Sequence, residues 1–127
     1  MKSKRPKVLH TVAGQPLLQY VLSMLTGEGL SPLTVVVGPG MDDVVAAAAP
    51  HNTVVQEQRH GTGHAVLQAH DSLRGFEGDV LIVFGDTPFV TGATIAKMRA
   101  ARMEPDAPAV VVLGFSPPTP GDYGRLI

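Results

Sequence analysis

The sequence predicts an α/β protein built on a mostly parallel sheet flanked by helices, and three observations carry that expectation. Helical and extended segments alternate along the chain as α-β-α-β-α-β-α-β. The extended segments are apolar throughout instead of alternating with polar residues, the pattern of strands covered on both faces. With 127 residues and 44% hydrophobic composition, the chain can bury one core of ordinary size, so a single domain over residues 1–127 is expected.

Each element has its own signal. Residues 16–25, PLLQYVLSML, put Leu17, Leu18, Val21, Leu22 and Leu25 on one helical stripe; Pro16 suits a first turn, and Gly27 and Gly29 mark the end. LTVVVG at 33–38 is a β-branched strand running into Gly-Pro-Gly, and DDVVAAAA then reads as a helix stopped by Pro50. TVVQ at 53–56 is the next strand. After Gly63, HAVLQAHDSL has helical spacing at Val66, Ala69 and Leu73. VLIVF at 80–84 is the most strand-like stretch of the chain, TGATIAKMRAAR is a helix capped by Thr91, and APAVVVLGF at 107–115 supplies a fourth strand.

Composition narrows the class. The net charge is −1, which argues against wholesale binding to nucleic acid or to a membrane surface. Four of the ten Lys and Arg residues nevertheless fall in MKSKRPK, the first seven positions, where a solvated tail, a nucleic-acid patch or a phosphate contact are all open readings. The absence of cysteine removes disulfides, zinc-thiolate sites and cysteine nucleophiles and suits a reducing compartment. No apolar run reaches the ~20 residues of a membrane span, and the amino end never becomes an apolar signal segment. A cytoplasmic protein is expected.

Ligands of an open parallel sheet collect at the carboxyl ends of its strands, so three loops matter most. VVVGPGMDDV superficially resembles a dinucleotide-binding turn, but Asp43 replaces the third glycine and the acidic pair would repel a pyrophosphate. In VQEQRHGTGHAV, glycines at a helix start allow a ligand close to the main chain, and Gln56 and Gln58 near the strand end can present an amide edge to a base, although one of two neighbouring glutamines often only faces solvent. His60 and His64 are four apart, but no carboxylate completes a metal set, and neutral histidines at a loop edge are the better reading. In VLIVFGDTPFV, Asp86 stands at a strand end, before a Thr-Pro turn, where it suits a hard divalent cation. It lies too far ahead of Thr91 to cap the following helix.

Four stretches, PKVLHTVAGQPLLQYVL, VVQEQRHGTGHAVLQA, VLIVFGDTPFV and GDYGRLI, occur in one order along nearly the whole chain. Together they resemble the uridylyltransferase domain of the bacterial bifunctional N-acetylglucosamine-1-phosphate uridyltransferase and glucosamine-1-phosphate acetyltransferase family. The resemblance implies a Rossmann-like nucleotidyltransferase fold that joins UTP to N-acetylglucosamine 1-phosphate with Mg²⁺, releasing pyrophosphate and UDP-N-acetylglucosamine for cell-wall synthesis. It implies that Lys7 contacts the nucleotide phosphates, that Gln56, Gly61 and Thr62 recognise uracil, and that Phe84, Gly85 and Asp86 border the nucleotide-sugar. Asp86 would be the metal ligand, with Lys7 and Asp86 as the catalytic pair, and Gly124 would lie against the sugar. Phe89 stands where the family commonly has leucine.

The resemblance also implies a domain incomplete at both ends. The family's first strand and its Leu-x-Ala-Gly-x-Gly-Thr-Arg-Met loop, the triphosphate cradle, should precede the basic stretch, and Met1 aligns with the motif's last residue. The carboxyl part of the domain and the β-helix acetyltransferase domain, through which full-length relatives trimerise, lie beyond Ile127. Such a chain alone is expected to transfer little or nothing and to be marginally stable, because losing a central strand uncovers apolar surface and strand edges. Two rivals stand beside this reading: a nucleotidyltransferase for another sugar phosphate or for CTP, and a non-catalytic α/β interaction module.

Overall fold

The computed structural model describes residues 5–106, 108–119 and 121. The chain divides into two compact units, residues 1–90 and 91–127. In the first unit, Pro6 leads into a single 3-10 turn, Lys7–Leu9, that buries Leu9. A short antiparallel pair follows, β1 (Thr11–Val12) with β2 (Gln15–Pro16). Ala13 (φ 48°) and Gly14 (φ 83°) connect the pair, and two consecutive positive φ values are what a tight hairpin needs to match strand twist. This hairpin is absent from the sequence reading, because Ala-Gly lacks the Asn or Asp that usually marks such a turn. The Tyr20 hydroxyl donates to the Val12 carbonyl at 2.8 Å and braces it against the next helix.

Helix α1 (Leu17–Gly27) forms where the apolar stripe requires it and buries Leu18, Val21, Leu22 and Leu25. Its end is a double reverse bond: Gly29 N–H reaches the Thr26 carbonyl and Leu30 N–H reaches the Leu25 carbonyl, with Gly29 at φ 72°. That left-handed position after the last turn explains the glycine there. Strand β3 (Thr34–Val37), helix α2 (Asp42–Ala48) and strand β4 (Asn52–Val55) form one β-α-β unit, with Asp42 and Asp43 in the first turn of α2. The two strands are parallel, Thr34 opposite Asn52 and Val37 opposite Val55. Leu9, Leu18, Leu22, Val37, Val44 and Ala48 make one buried cluster, with Val8, Leu33 and Val35 packed against it.

After β4, helix α3 (Thr62–Gln68) is short, and a separate 3-10 turn covers His70–Leu73. The expected continuous helix over 64–73 is thus split. The main chain tightens at Ala69, whose N–H bonds the Val66 carbonyl, and Ser72 N–H bonds Ala69 in the same three-residue manner.

Two sequence expectations need correction. Residues 80–84 and 108–115 pair with no strand among the described residues, so the hydrogen-bonded sheet described is β3 and β4 together with the small β1–β2 ribbon, not a four-stranded one. β-branched composition favours an extended chain, but only a neighbour with free N–H and C=O groups turns that chain into a ladder. Burial on both faces fails too: Leu81 and Val83 are half-buried, whereas Val80, Ile82 and Phe84 are exposed. Residue 107, assigned to the fourth strand, lies outside the described residues.

In the second unit, helix α4 (Gly92–Arg102) starts as the sequence indicates: the Thr91 hydroxyl accepts from Thr94 N–H at 3.3 Å. Among the described residues no helix is long and apolar enough to cross a membrane. Leu22 is 3% exposed within the buried cluster of the first unit, so Leu22→Ala should destabilise the chain by ~2–5 kcal/mol, read from the shift of a urea unfolding midpoint.

Candidate functional site

Two groups of sequence-predicted residues assemble in the first unit. The first joins the basic amino end to the acidic loop. Phe84, Gly85, Asp86 and Thr87 form a β-turn closed by Thr87 N–H on the Phe84 carbonyl at 3.2 Å, and the Thr87 hydroxyl donates to that carbonyl at 2.7 Å. Gly85 and Asp86 are therefore the central residues of a doubly tied turn. A Cβ on Gly85 would stand 3.3 Å from the Val8 side chain and 3.4 Å from Leu18, so the turn sits close against the Lys7–Leu9 segment and α1. Across that contact Lys7 Nζ meets Asp86 Oδ2 at 2.6 Å. Lys7 is 62% exposed and Asp86 29%, so the pair adds little to stability and its ammonium keeps room to move.

The second group gathers around the Gln56 side chain. Gln56 N–H continues the parallel ladder onto the Val37 carbonyl at 2.8 Å, which fixes the residue just beyond β4. Its side-chain Nε2 donates to the Gly61 carbonyl at 3.1 Å and lies 3.0 Å from His64 Nδ1. The same Gly61 carbonyl accepts Ala65 N–H at 3.1 Å, the first bond of α3. One turn further along α3, Gln68 Nε2 donates to the His64 carbonyl at 3.1 Å and stands 3.3 Å from His64 Nε2. The His60 and His64 rings face each other, tilted, with centroids 5.0 Å apart. Beside them the Arg59 guanidinium covers Gly38, where a Cβ would come within 2.8 Å of it.

The glycines flanking Thr62 have different reasons to be glycine. Gly61 precedes the helix at φ 93° and ψ −178°, a conformation essentially closed to residues with a Cβ, and no side-chain cap assists it. Thr62 is the first helical residue, so its hydroxyl is not the cap. Gly63 has no positive φ, and open space surrounds the place of its missing Cβ. The fold does not require glycine at 63.

Lys7, Phe84, Gly85 and Asp86 thus lie together, as do Gln56, Gly61 and Thr62, while Gly124 lies outside the described residues. Val8 and Val37, neighbours of the two groups, belong to the same hydrophobic cluster. His64 and Gln68 are the participants that the sequence reading did not single out as a pair; their spacing of one helical turn directly after a glycine-rich start was the available signal. One cleft of about 610 Å³ is lined by Arg5, Pro6, Leu9, Pro16, Asp43, Ala46 and Ala47 and includes none of the sequence-predicted site residues.

Asp86 offers a hard carboxylate oxygen, and among the described residues no cluster of three or more His, Asp or Glu could hold a metal by itself. That donor set suits an ion that keeps waters and shares its ligands with phosphates, as Mg²⁺ does.

A family model of the MobA-like NTP transferase domain matches residues 1–119. The chain belongs to this family. It therefore has the Rossmann-like α/β fold of the NTP transferases, here represented by helices around a parallel strand pair. It is also 52% identical over 127 residues to the bifunctional protein GlmU of Paramagnetospirillum magneticum and 50% identical to that of Rhodospirillum rubrum. The GlmU of Acidiphilium cryptum is 48% identical over the same length. All of this chain is covered in each case, and it spans 28% of the length of each relative.

Because nothing lies within 4 Å of the Cβ position at Gly61, Gly61→Ala isolates backbone strain from crowding. It should lower stability by ~1–3 kcal/mol, with the cost visible in an unfolding titration.

Proposed function

We propose that this chain carries the nucleotide-binding part of a uridylyltransferase that transfers UMP from UTP to N-acetylglucosamine 1-phosphate. The observation that carries the reading is the 2.6 Å contact between Lys7 and Asp86, which joins the basic amino end to the aspartate turn of the same motif series. In the reaction a phosphate oxygen of the sugar phosphate forms a bond to the α-phosphorus of UTP, and the bond to the pyrophosphate leaving group breaks. Both partners are anions, so positioning and charge neutralisation dominate the barrier.

Lys7, exposed and tethered among the described residues by Asp86, can exchange its carboxylate partner for a phosphate oxygen. Asp86 would hold Mg²⁺ jointly with the nucleotide phosphates, and the chemistry that ion supplies is charge neutralisation on the phosphates. Gln56 and the Gly61–Thr62 main chain would meet the uracil edge, and the open space at Gly63 gives the ring access to them. Phe84 and Gly85 would border the nucleotide-sugar, and Gly124 the sugar. The identity to three GlmU proteins supports this reading.

Because the chain spans 28% of its relatives' length, binding is a cleaner test than turnover. UTP with Mg²⁺ should raise the thermal midpoint of the chain more than CTP or GTP does, and Asp86→Asn should remove the Mg²⁺ dependence. Equal stabilisation by CTP would point to the cytidine alternative, and no stabilisation by any nucleotide would overturn the proposal. Gly63→Ala should separate fold from function. It should gain roughly 0.5–1 kcal/mol in stability, because helical alanine is favoured over glycine, while weakening the UTP response.

A further inference from the structure

The amide of Gln56 is held from two sides, and the donors and acceptors can be counted. The Gly61 carbonyl can only accept, so the Gln56 carboxamide must turn its NH₂ toward it. That NH₂ has a second hydrogen, and His64 Nδ1 lies 3.0 Å away to receive it. A neutral imidazole has one accepting nitrogen. The competing contact, Gln68 Nε2 to His64 Nε2, is longer at 3.3 Å, and Gln68 already donates to the His64 carbonyl. Giving the lone pair to the shorter contact at Nδ1 would place the ring hydrogen on Nε2.

We infer that His64 is a positioning residue for nucleotide selectivity: its Nδ1, together with the Gly61 carbonyl, fixes the Gln56 carboxamide so that only Oε1 remains to meet a base. This inference rests on the uridine reading above and deepens it. An amide oxygen pairs with the imide N–H of uracil, whereas cytosine presents a lone pair at that ring position. With the Gly61 bond alone, one partly exposed hydrogen bond worth ~0.5–1.5 kcal/mol would hold the amide, and a flip could then serve cytosine. His64 adds the second bond and closes that option.

Two measurements test this on the full chain. Nitrogen-detected NMR of the histidine rings should give His64 an unprotonated Nδ1 and a protonated Nε2; a ring protonated at Nδ1 overturns the inference. Binding titrations with UTP and CTP should then compare three variants. His64→Ala should narrow the preference for UTP by about five- to tenfold, the equivalent of one hydrogen bond. His64→Asn, whose Oδ1 falls near the place of Nδ1 and accepts, should keep the preference. His64→Gln, which mimics only the Nε2 edge, should not. Equal behaviour of the Ala and Asn variants, or an unchanged ratio in His64→Ala, sinks the assignment. If the unaltered chain prefers neither nucleotide, the uridine reading fails by itself, and the ring nitrogen signals still decide whether His64 holds Gln56.

Discussion

The packing of Leu9 and Leu18 against Val37, Val44 and Ala48 is the constraint from which both polar groups take their positions. Leu9 ends the 3-10 turn that begins at Lys7, so burying it fixes the backbone that carries the ammonium. Leu18 meets the Gly85 position from the other side, which brings the aspartate turn within reach of that ammonium. Val37 ends β3, and its carbonyl, the last rung of the parallel ladder, receives Gln56 N–H. Burial of a handful of side chains is non-directional and strong, whereas the polar contacts are directional and weak. The apolar cluster brings the chain segments together, and the hydrogen bonds then choose among nearby arrangements.

Legibility in the sequence followed how local each determinant is. Helix α1 was readable in full because its stripe, its proline entry and its glycine exit lie within one short window, and α4 because Thr91 caps it directly. The strand pair β3–β4 was readable because each run is bounded by turn residues. Residues 80–84 were misread as a sheet strand because strand character depends on a partner, and the composition of VLIVF says nothing about whether one is adjacent. The hairpin at Ala13-Gly14 was hidden by its turn residues. At the site, Asp86 and Gln56 were visible as single residues after extended segments, but the Lys7–Asp86 contact joins positions no sequence window spans, and the contact of His64 with Gln56, though within one window, depends on how the chain turns at Gly61.

The segment from Gly61 to Gln68 illustrates how one short helix carries two unrelated demands. Gly61 is glycine for the backbone, since ψ near 180° at positive φ turns the chain so that its carbonyl can accept both Ala65 N–H and the Gln56 amide. Among the described residues nothing lies within 4 Å of a Cβ at Gly63, and a helix normally gains from a larger residue there. Local rules broken without internal compensation point outward, to something that must approach the main chain.

The two groups also divide the work by the physics of what each would recognise. A triphosphate is a diffuse, multiply charged target, and Coulomb attraction tolerates several ångströms of misplacement, so on the proposed reading an exposed lysine leaning on one carboxylate would contribute attraction without fine positioning. Uracil and cytosine differ on this edge at two adjacent positions, an imide N–H against a ring lone pair and a carbonyl oxygen against an amino group. Discrimination there requires that the protein's own hydrogen be committed in advance, or the amide simply rotates to suit either base. Gln56 meets that requirement through a main-chain bond at its N–H and two side-chain contacts at Nε2, and the half-buried His64 holds it from a helix it does not belong to. Among the described residues Lys7 is held by one contact, with the opposite charge. On the proposed reading, the difference in tethering between Lys7 and Gln56 would match the difference between attracting a nucleotide and choosing one.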